Sequence, residues 1–298
     1  MPAHPAAPTE RESFGERLSN AVAVRGPLCA GIDPHPGLLR DWGLGDDPAG
    51  LERFALGAVE ALAPEVALVK PQSAFFERHG SRGVAVLERV LVAARDAGAL
   101  VLLDVKRGDI GSTMAGYGQA YLAEGAPLSS DAITLSPYLG VGALDPAFEL
   151  AARHGRGVFV LAWTSNPEGA GVQAARTCTG STVAQSVVDA VAARNAGRHP
   201  LGDTGVVVGA TTPAGTLRLA ELNGPVLAPG IGAQGATLAD LPRIFGTATR
   251  YVLPAISRDL LRYGPGLVAL RSAARRVADG AAALLLSRSW QADGGTPR

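Results

Sequence analysis

The chain has 298 residues, with 27 Lys plus Arg against 27 Asp plus Glu and a formal charge of zero. That balance argues against nucleic acid or an anionic membrane surface as the main partner, and leaves a local basic pocket open. Two cysteines exclude a disulfide scaffold and fit a reducing cytoplasm, and no apolar run approaches the roughly 20 residues of a membrane span.

With 47% hydrophobic residues, 38 Gly and 21 Pro, the sequence reads as a turn-rich globular protein with ample core. The opening MPAHPAAPTERESF lacks the basic and apolar regions of a secretory signal. Residues 1–12 and the tail 291–298 are expected to be disordered, with one folded domain over 13–290. A helix is predicted over about Phe14 to Val24, then a buried strand from Leu28 to Ile32 that ends in Asp33. Cys29 lies in that apolar run and reads as a small core residue. Residues 48–63 carry one helical face at i, i+3, i+4 spacing, and VALVKPQ ends a second strand on Lys70, with Pro71 stopping it. A helix over about Gly83 to Asp96 is closed by Gly98.

The third strand, Ala99 to Leu103, leads into Asp104, Lys106 and Asp109. Side chains alternate across a strand, so Asp104 and Lys106 project from one face. Gly108, Gly111 and the hydroxyls of Ser112 and Thr113 suit a turn and a helix cap. A structural ion pair at a barrel rim and a functional cluster are both compatible with this stretch alone. Further strands are expected at Ala132 to Leu135, Val158 to Trp163, Val206 to Val208, Pro225 to Pro229 and Tyr251 to Pro254. Helices alternate with them near Pro146 to His154, Thr182 to Asn195 and Leu267 to Leu285, the last with Arg275 and Arg276 on its wet side. The loop TSNPEGAGVQ after Trp163 is unusually long.

Eight apolar runs alternating with helical periodicity predict a single (β/α)8 TIM barrel, in preference to a doubly wound open sheet. In a barrel, Asp33, Lys70, Asp104 and Lys106 converge on one mouth, where two acids and two lysines compensate one another. PGIGAQG, from Pro229 to Gly235, matches G-x-G-x-x-G, but it comes late and lacks the acidic residue about 20 positions on that a dinucleotide site needs. A phosphate cradle after the seventh strand fits better, with Arg258 just past the eighth. A surface Arg258 paired with Asp259 is the plainer alternative. The five histidines form no metal-ligand spacing, His35 reads as a loop residue near the mouth, and Phe75 and Phe76 suit a core or interface.

The run DVKRGDIGST resembles the D-x-K-x-x-D-I-x-x-T signature of the orotidine 5′-phosphate decarboxylase family. GIDP, VKPQ, WTSNPEG, PGIGAQG and ISRD follow that family's order over roughly residues 13–290, and the wording resembles its longer bacterial subgroup. The resemblance implies a (β/α)8 barrel, usually a homodimer in the cytoplasm. It would convert orotidine 5′-monophosphate to uridine 5′-monophosphate and carbon dioxide without metal or organic cofactor. It casts Lys106 as proton donor to C6, Asp104 against the departing carboxylate, and Lys70 as holder of the charged array and ribose. Asp109 resembles the aspartate lent in trans to the neighbouring subunit, with Thr113 close behind. Asp33 resembles a ribose contact, Ser165 the pyrimidine-amide contact, Pro229 an apolar wall, and Gln234 and Arg258 the phosphate grip. Trp163 and its long loop depart from the shorter enzymes. Rival readings are a magnesium-dependent sugar-phosphate enzyme on the same barrel, a Schiff-base aldolase and a nucleotide sensor.

Overall fold

Eight parallel strands pair in sequence order and close on themselves, β8 returning to β1. They are β1 Cys29–Ile32, β2 Leu68–Pro71, β3 Leu100–Arg107, β4 Ala132–Leu135, β5 Gly157–Trp163, β6 Thr204–Val208, β7 Val226–Ala228 and β8 Val252–Ile256. The computed structural model describes residues 12–232 and 234–286. The disorder expected for residues 1–11 and 291–298, and the domain end at 287–290, lie outside the described residues. No described helix is long and apolar enough to cross a membrane.

Two-residue alternation divides the apolar residues into two cores. Cys29, Leu68, Leu102, Ala132, Phe159, Val207, Leu227 and Leu253 fill the barrel interior. Their neighbours Ala30, Val69, Leu103, Ile133, Val158, Val206, Val226 and Val252 face outward into the core shared with the helices. The helix Phe14–Arg25, started by a capping box between Ser13 and Glu16, closes the N-terminal end of the barrel. Phe14 is fully buried and meets Phe159 edge-on, ring centroids 6.0 Å apart. Gly157 is required there, since a Cβ on it would lie 2.4 Å from the Phe14 ring. Arg17 ties the same helix to buried Asp131 at 2.5 Å.

The sequence reading ended the third strand at Leu103; β3 instead runs to Arg107. Long-range pairing extends it: Gln72 bridges Asp104, and Arg107 pairs with Leu135 after a register shift. Lys106 takes φ of 46° within that irregularity, the left-handed region that ordinary residues seldom enter. The helix Gly111–Leu122 has Ile110 at its N-cap with no side-chain cap. Ser112 and Thr113 therefore sit inside its first turn rather than capping it, and the Asp109 carboxylate accepts the Ile110 N–H at 2.8 Å. A short helix, Pro36–Asp41, was not anticipated in the loop after β1. Its Trp42 packs on Phe54 and donates to the Leu261 carbonyl.

Candidate active site

Because strands in such a barrel point the same way, the residues just past their C-terminal ends surround one opening. The alternation that places Cys29, Leu68 and Leu102 inside also turns Lys70 and Asp104 inward one layer higher and Asp33 two layers higher, and Lys106 joins them from the irregular end of β3. All four line a cavity of about 480 Å³ at this mouth. Lys70 Nζ lies 3.0 Å from Asp104 Oδ2 and 3.7 Å from Asp33 Oδ1. Lys106 Nζ lies 2.6 Å from Asp104 Oδ1. Asp104 is thus gripped by one ammonium at each oxygen, and the Thr134 hydroxyl adds a hydrogen bond to Oδ1 at 2.8 Å.

These groups determine one another's charge. Burial pushes the Asp104 carboxyl up, but Lys70, Lys106 and the Thr134 hydroxyl outweigh it and hold the carboxyl well below the usual carboxylate range. Burial likewise disfavours the Lys70 ammonium, yet the attraction of Asp104 and Asp33 keeps its pKa above that of an ordinary lysine. Lys70 and Asp104 are each buried, while the Lys106 side chain remains 45% exposed toward the cavity. The array therefore carries a fixed carboxylate and a solvent-reachable ammonium in direct contact. Beneath it, burial pushes the Cys29 thiol up to about 12, in keeping with its reading as a small core residue.

On the opposite wall, the segment after β7 folds back on itself. Gly232 donates to the Ala236 carbonyl, Gly235 to Gly232, and Ala236 to Gly230. Gly230, Gly232 and Gly235 have φ of 102°, 76° and 93°, which explains the glycine spacing without a dinucleotide. A Cβ on Gly232 would also collide with the Asp259 carboxylate, at 1.6 Å. Pro229, Gly230, Gln234 and Arg258 line the cavity here. Asp259 faces Arg262 at 3.8 Å, so the surface pair proposed for Arg258 is not the one formed.

Ser165 joins the lining from the long loop after β5, together with Thr164 and Asn166. That loop is braced internally: Thr164 N–H donates to Gln173 Oε1 at 3.0 Å, and Gln173 Nε2 donates to Thr164 Oγ1 at 2.7 Å. Of the ten candidate residues, eight therefore share one cavity. Asp109 and Thr113 do not line it; Asp109 is half-buried and Thr113 exposed beyond β3. Thr134, Gln72, Asn166 and Ser257 line the cavity and were given no role from the sequence, although VKPQ, WTSNPEG and ISRD contain the last three. Thr134 was findable, as the inward-facing polar residue two positions after Ala132 in an otherwise apolar strand. Phe76 is core, as expected, whereas Phe75 lines the cavity and packs against His35 with centroids 4.2 Å apart. His35, placed beside the mouth from sequence, lines it too.

Residues 26–271 match the family model "Orotidine 5′-phosphate decarboxylase / HUMPS family". The chain belongs to this family. Among the decarboxylase family's curated members, the Salinispora tropica orotidine 5′-phosphate decarboxylase is 65% identical over 274 residues, covering 92% of this chain and 99% of that one. The Streptomyces coelicolor enzyme of the same name is 61% identical, covering 90% and 96%. A crystal structure from Streptomyces avermitilis, assigned as an orotidine 5′-phosphate decarboxylase, superposes with a TM-score of 0.91 at 57% identity, covering 95% of this chain and all of that one. Identity of this degree over nearly the whole length makes this family member an enzyme of the carboxy-lyase class.

Proposed function

We propose that this enzyme converts orotidine 5′-monophosphate to uridine 5′-monophosphate and carbon dioxide, a step of pyrimidine biosynthesis, with Lys106 as the proton donor. The observation that carries the mechanism is the contact of Lys106 Nζ with Asp104 at 2.6 Å inside a cavity that also holds Gln234 and Arg258. Loss of carbon dioxide from C6 leaves a carbanion in the plane of the ring, with no π-system to spread its charge. An ammonium fixed beside C6 stabilises that charge as it develops and then delivers its proton to the same atom. Lys70, locked between Asp104 and Asp33, cannot swing to C6 without breaking two ion pairs; Lys106, partly exposed and paired on one side, can. Asp104 sets negative charge against the substrate carboxylate.

Arg258 and Gln234 form the phosphate end of the site, and the turn of Gly230 to Gly235 brings backbone close to the ligand. A grip remote from C6 supplies binding energy that orders the site before chemistry. Ser165 meets the pyrimidine amide edge, Pro229 walls the base, and Asp33 takes a ribose hydroxyl. We assign Asp109, with Thr113, to the neighbouring subunit's site in a homodimer. In support, neither residue lines its own chain's cavity, and Ile110, Tyr138 and Leu139 stand 61%, 80% and 52% exposed on the loops beside them.

The test is ultraviolet absorbance of orotidine 5′-monophosphate incubated with EDTA-treated protein. Wild type should consume the substrate, and Lys106→Ala should lose nearly all turnover while still binding uridine 5′-monophosphate. Substantial turnover by Lys106→Ala would remove the proposed proton donor, and a magnesium requirement would favour the sugar-phosphate reading.

A further inference from the structure

Two buried oxygens that line the cavity make no hydrogen bond among the described residues: Asp33 Oδ1 and Ser257 Oγ. A buried hydroxyl without a partner costs free energy that nothing in the free protein returns. Ser257 follows β8, and the pairing of Cys29 with Ala255 sets it level with Gly31 on β1. It packs against that glycine so closely that a Cβ on Gly31 would fall 2.6 Å from the Ser257 Cβ. Lys70 pairs with Gly31 from the other side, so Ser257 and Lys70 flank it at the same height. Asp33 rises from the same strand, two residues on.

Local structure does not use the Ser257 hydroxyl. The residue occupies the N-cap position of the turn Arg258–Leu261, where a serine side chain commonly accepts a backbone N–H. Here it makes no such bond; the Ser257 carbonyl instead accepts from both Leu260 and Leu261 at 2.9 Å. Its φ of −121° and ψ of −81° lie away from the extended N-cap conformation. Ser257 lines the cavity together with Asp33 and Arg258.

A carboxylate oxygen only accepts, whereas a serine hydroxyl can donate. Asp33 and Ser257 line one cavity from the ends of adjacent strands, Asp33 two residues above the level of Ser257; together they complement a vicinal diol, one hydroxyl giving its proton to Asp33 and the other receiving one from Ser257. We propose that Ser257 is a ribose-binding residue, its hydroxyl donating to one oxygen of the nucleotide's 2′,3′-diol. This rests on the nucleotide reading of the site given above.

The experiment measures dissociation constants of uridine 5′-monophosphate and its 2′-deoxy and 3′-deoxy analogues for wild type, Ser257→Ala and Ser257→Gly. Both variants keep Gly31 free of collision. Loss of one neutral hydrogen bond should weaken uridine 5′-monophosphate about 3–10-fold. One deoxy analogue, lacking the oxygen that Ser257 meets, should bind wild type and both variants equally. Equal weakening of all three nucleotides, or no weakening of any, would overturn the assignment. Wild type that neither binds uridine 5′-monophosphate nor decarboxylates its precursor would overturn the functional reading itself. Wild type that does both, with variants indistinguishable from it, would overturn only the role of Ser257.

Discussion

Thr134→Val separates the geometry of the charged array from its composition. The Thr134 side chain is buried, and both faculties of its hydroxyl are committed: it donates to Asp104 Oδ1 at 2.8 Å and accepts the Lys106 N–H at 3.0 Å. Valine keeps the shape and removes both bonds. Losing a hydrogen bond to a charged group costs about 1.5–3 kcal/mol, and losing the part-buried bond to the Lys106 amide costs about 0.5–1.5 kcal/mol. Burying a methyl in place of the hydroxyl returns roughly 0.8 kcal/mol. A net loss of about 1–4 kcal/mol follows, a drop in Tm of roughly 2–6 °C for a chain of this size.

The effect on turnover arises separately. Lys106 holds a left-handed φ of 46° that its surroundings must enforce, and the Thr134 bond to its amide is one of those restraints. Relaxation that shifts the ammonium by about 1 Å should lower kcat by about 100-fold. KM should change by less than about threefold, because the hydroxyl is already used by protein groups. Thr134→Ser restores both bonds and should restore most of kcat. Steady-state absorbance kinetics with a thermal melt decide the matter. A Thr134→Val enzyme with kcat within about threefold of wild type would refute the claim that this contact aims Lys106.

Arg258→Ala should raise KM for the phosphorylated substrate by about 10–100-fold, as expected for a lost charge-assisted bond; an unchanged KM would place the phosphate elsewhere. Burial opposes ionisation of Asp104, but its partners depress its folded pKa. Its contribution to stability is therefore present above the unfolded value near ~3.9 and lost as pH falls through the lower folded value. Asp104→Asn should lose about 3–5 kcal/mol at neutral pH by leaving Lys70 poorly paired, and should lose less than wild type on further acidification. Acid-unfolding curves of identical slope would contradict this. Mixed Lys106→Ala and Asp109→Ala chains should regain up to about a quarter of wild-type activity, since half the dimers are hybrids with one intact site of two; no recovery on mixing demonstrated heterodimers would place Asp109 outside the partner's site.

Much of the site was readable because a strand's side-chain period is local. Knowing that Cys29, Leu68 and Leu102 pack inward is enough to turn Asp33, Lys70 and Asp104 toward the mouth, and the spacing of Asp104 and Lys106 puts both on one face. PGIGAQG was read as a phosphate cradle rather than a dinucleotide fingerprint, and its three glycines adopt positive φ. Thr134 and Ser257 were missed because their partners lie far off in sequence: Thr134 meets Asp104 across 30 positions, and Ser257 packs on Gly31 only where the last strand returns to the first.

By itself, then, the sequence determined the number and order of the strands and that acids and lysines meet at one end. Periodicity and turn chemistry are properties of neighbouring residues, so they survive without a fold. Tertiary structure alone decided that β3 continues to Arg107, that Asp104 is shared by Lys70 and Lys106 with Thr134 as a third donor, and that Asp109 and Thr113 stand apart from their own chain's cavity. Those outcomes depend on closure of the sheet, which brings together groups whose separation along the chain carries no record of their distance in space.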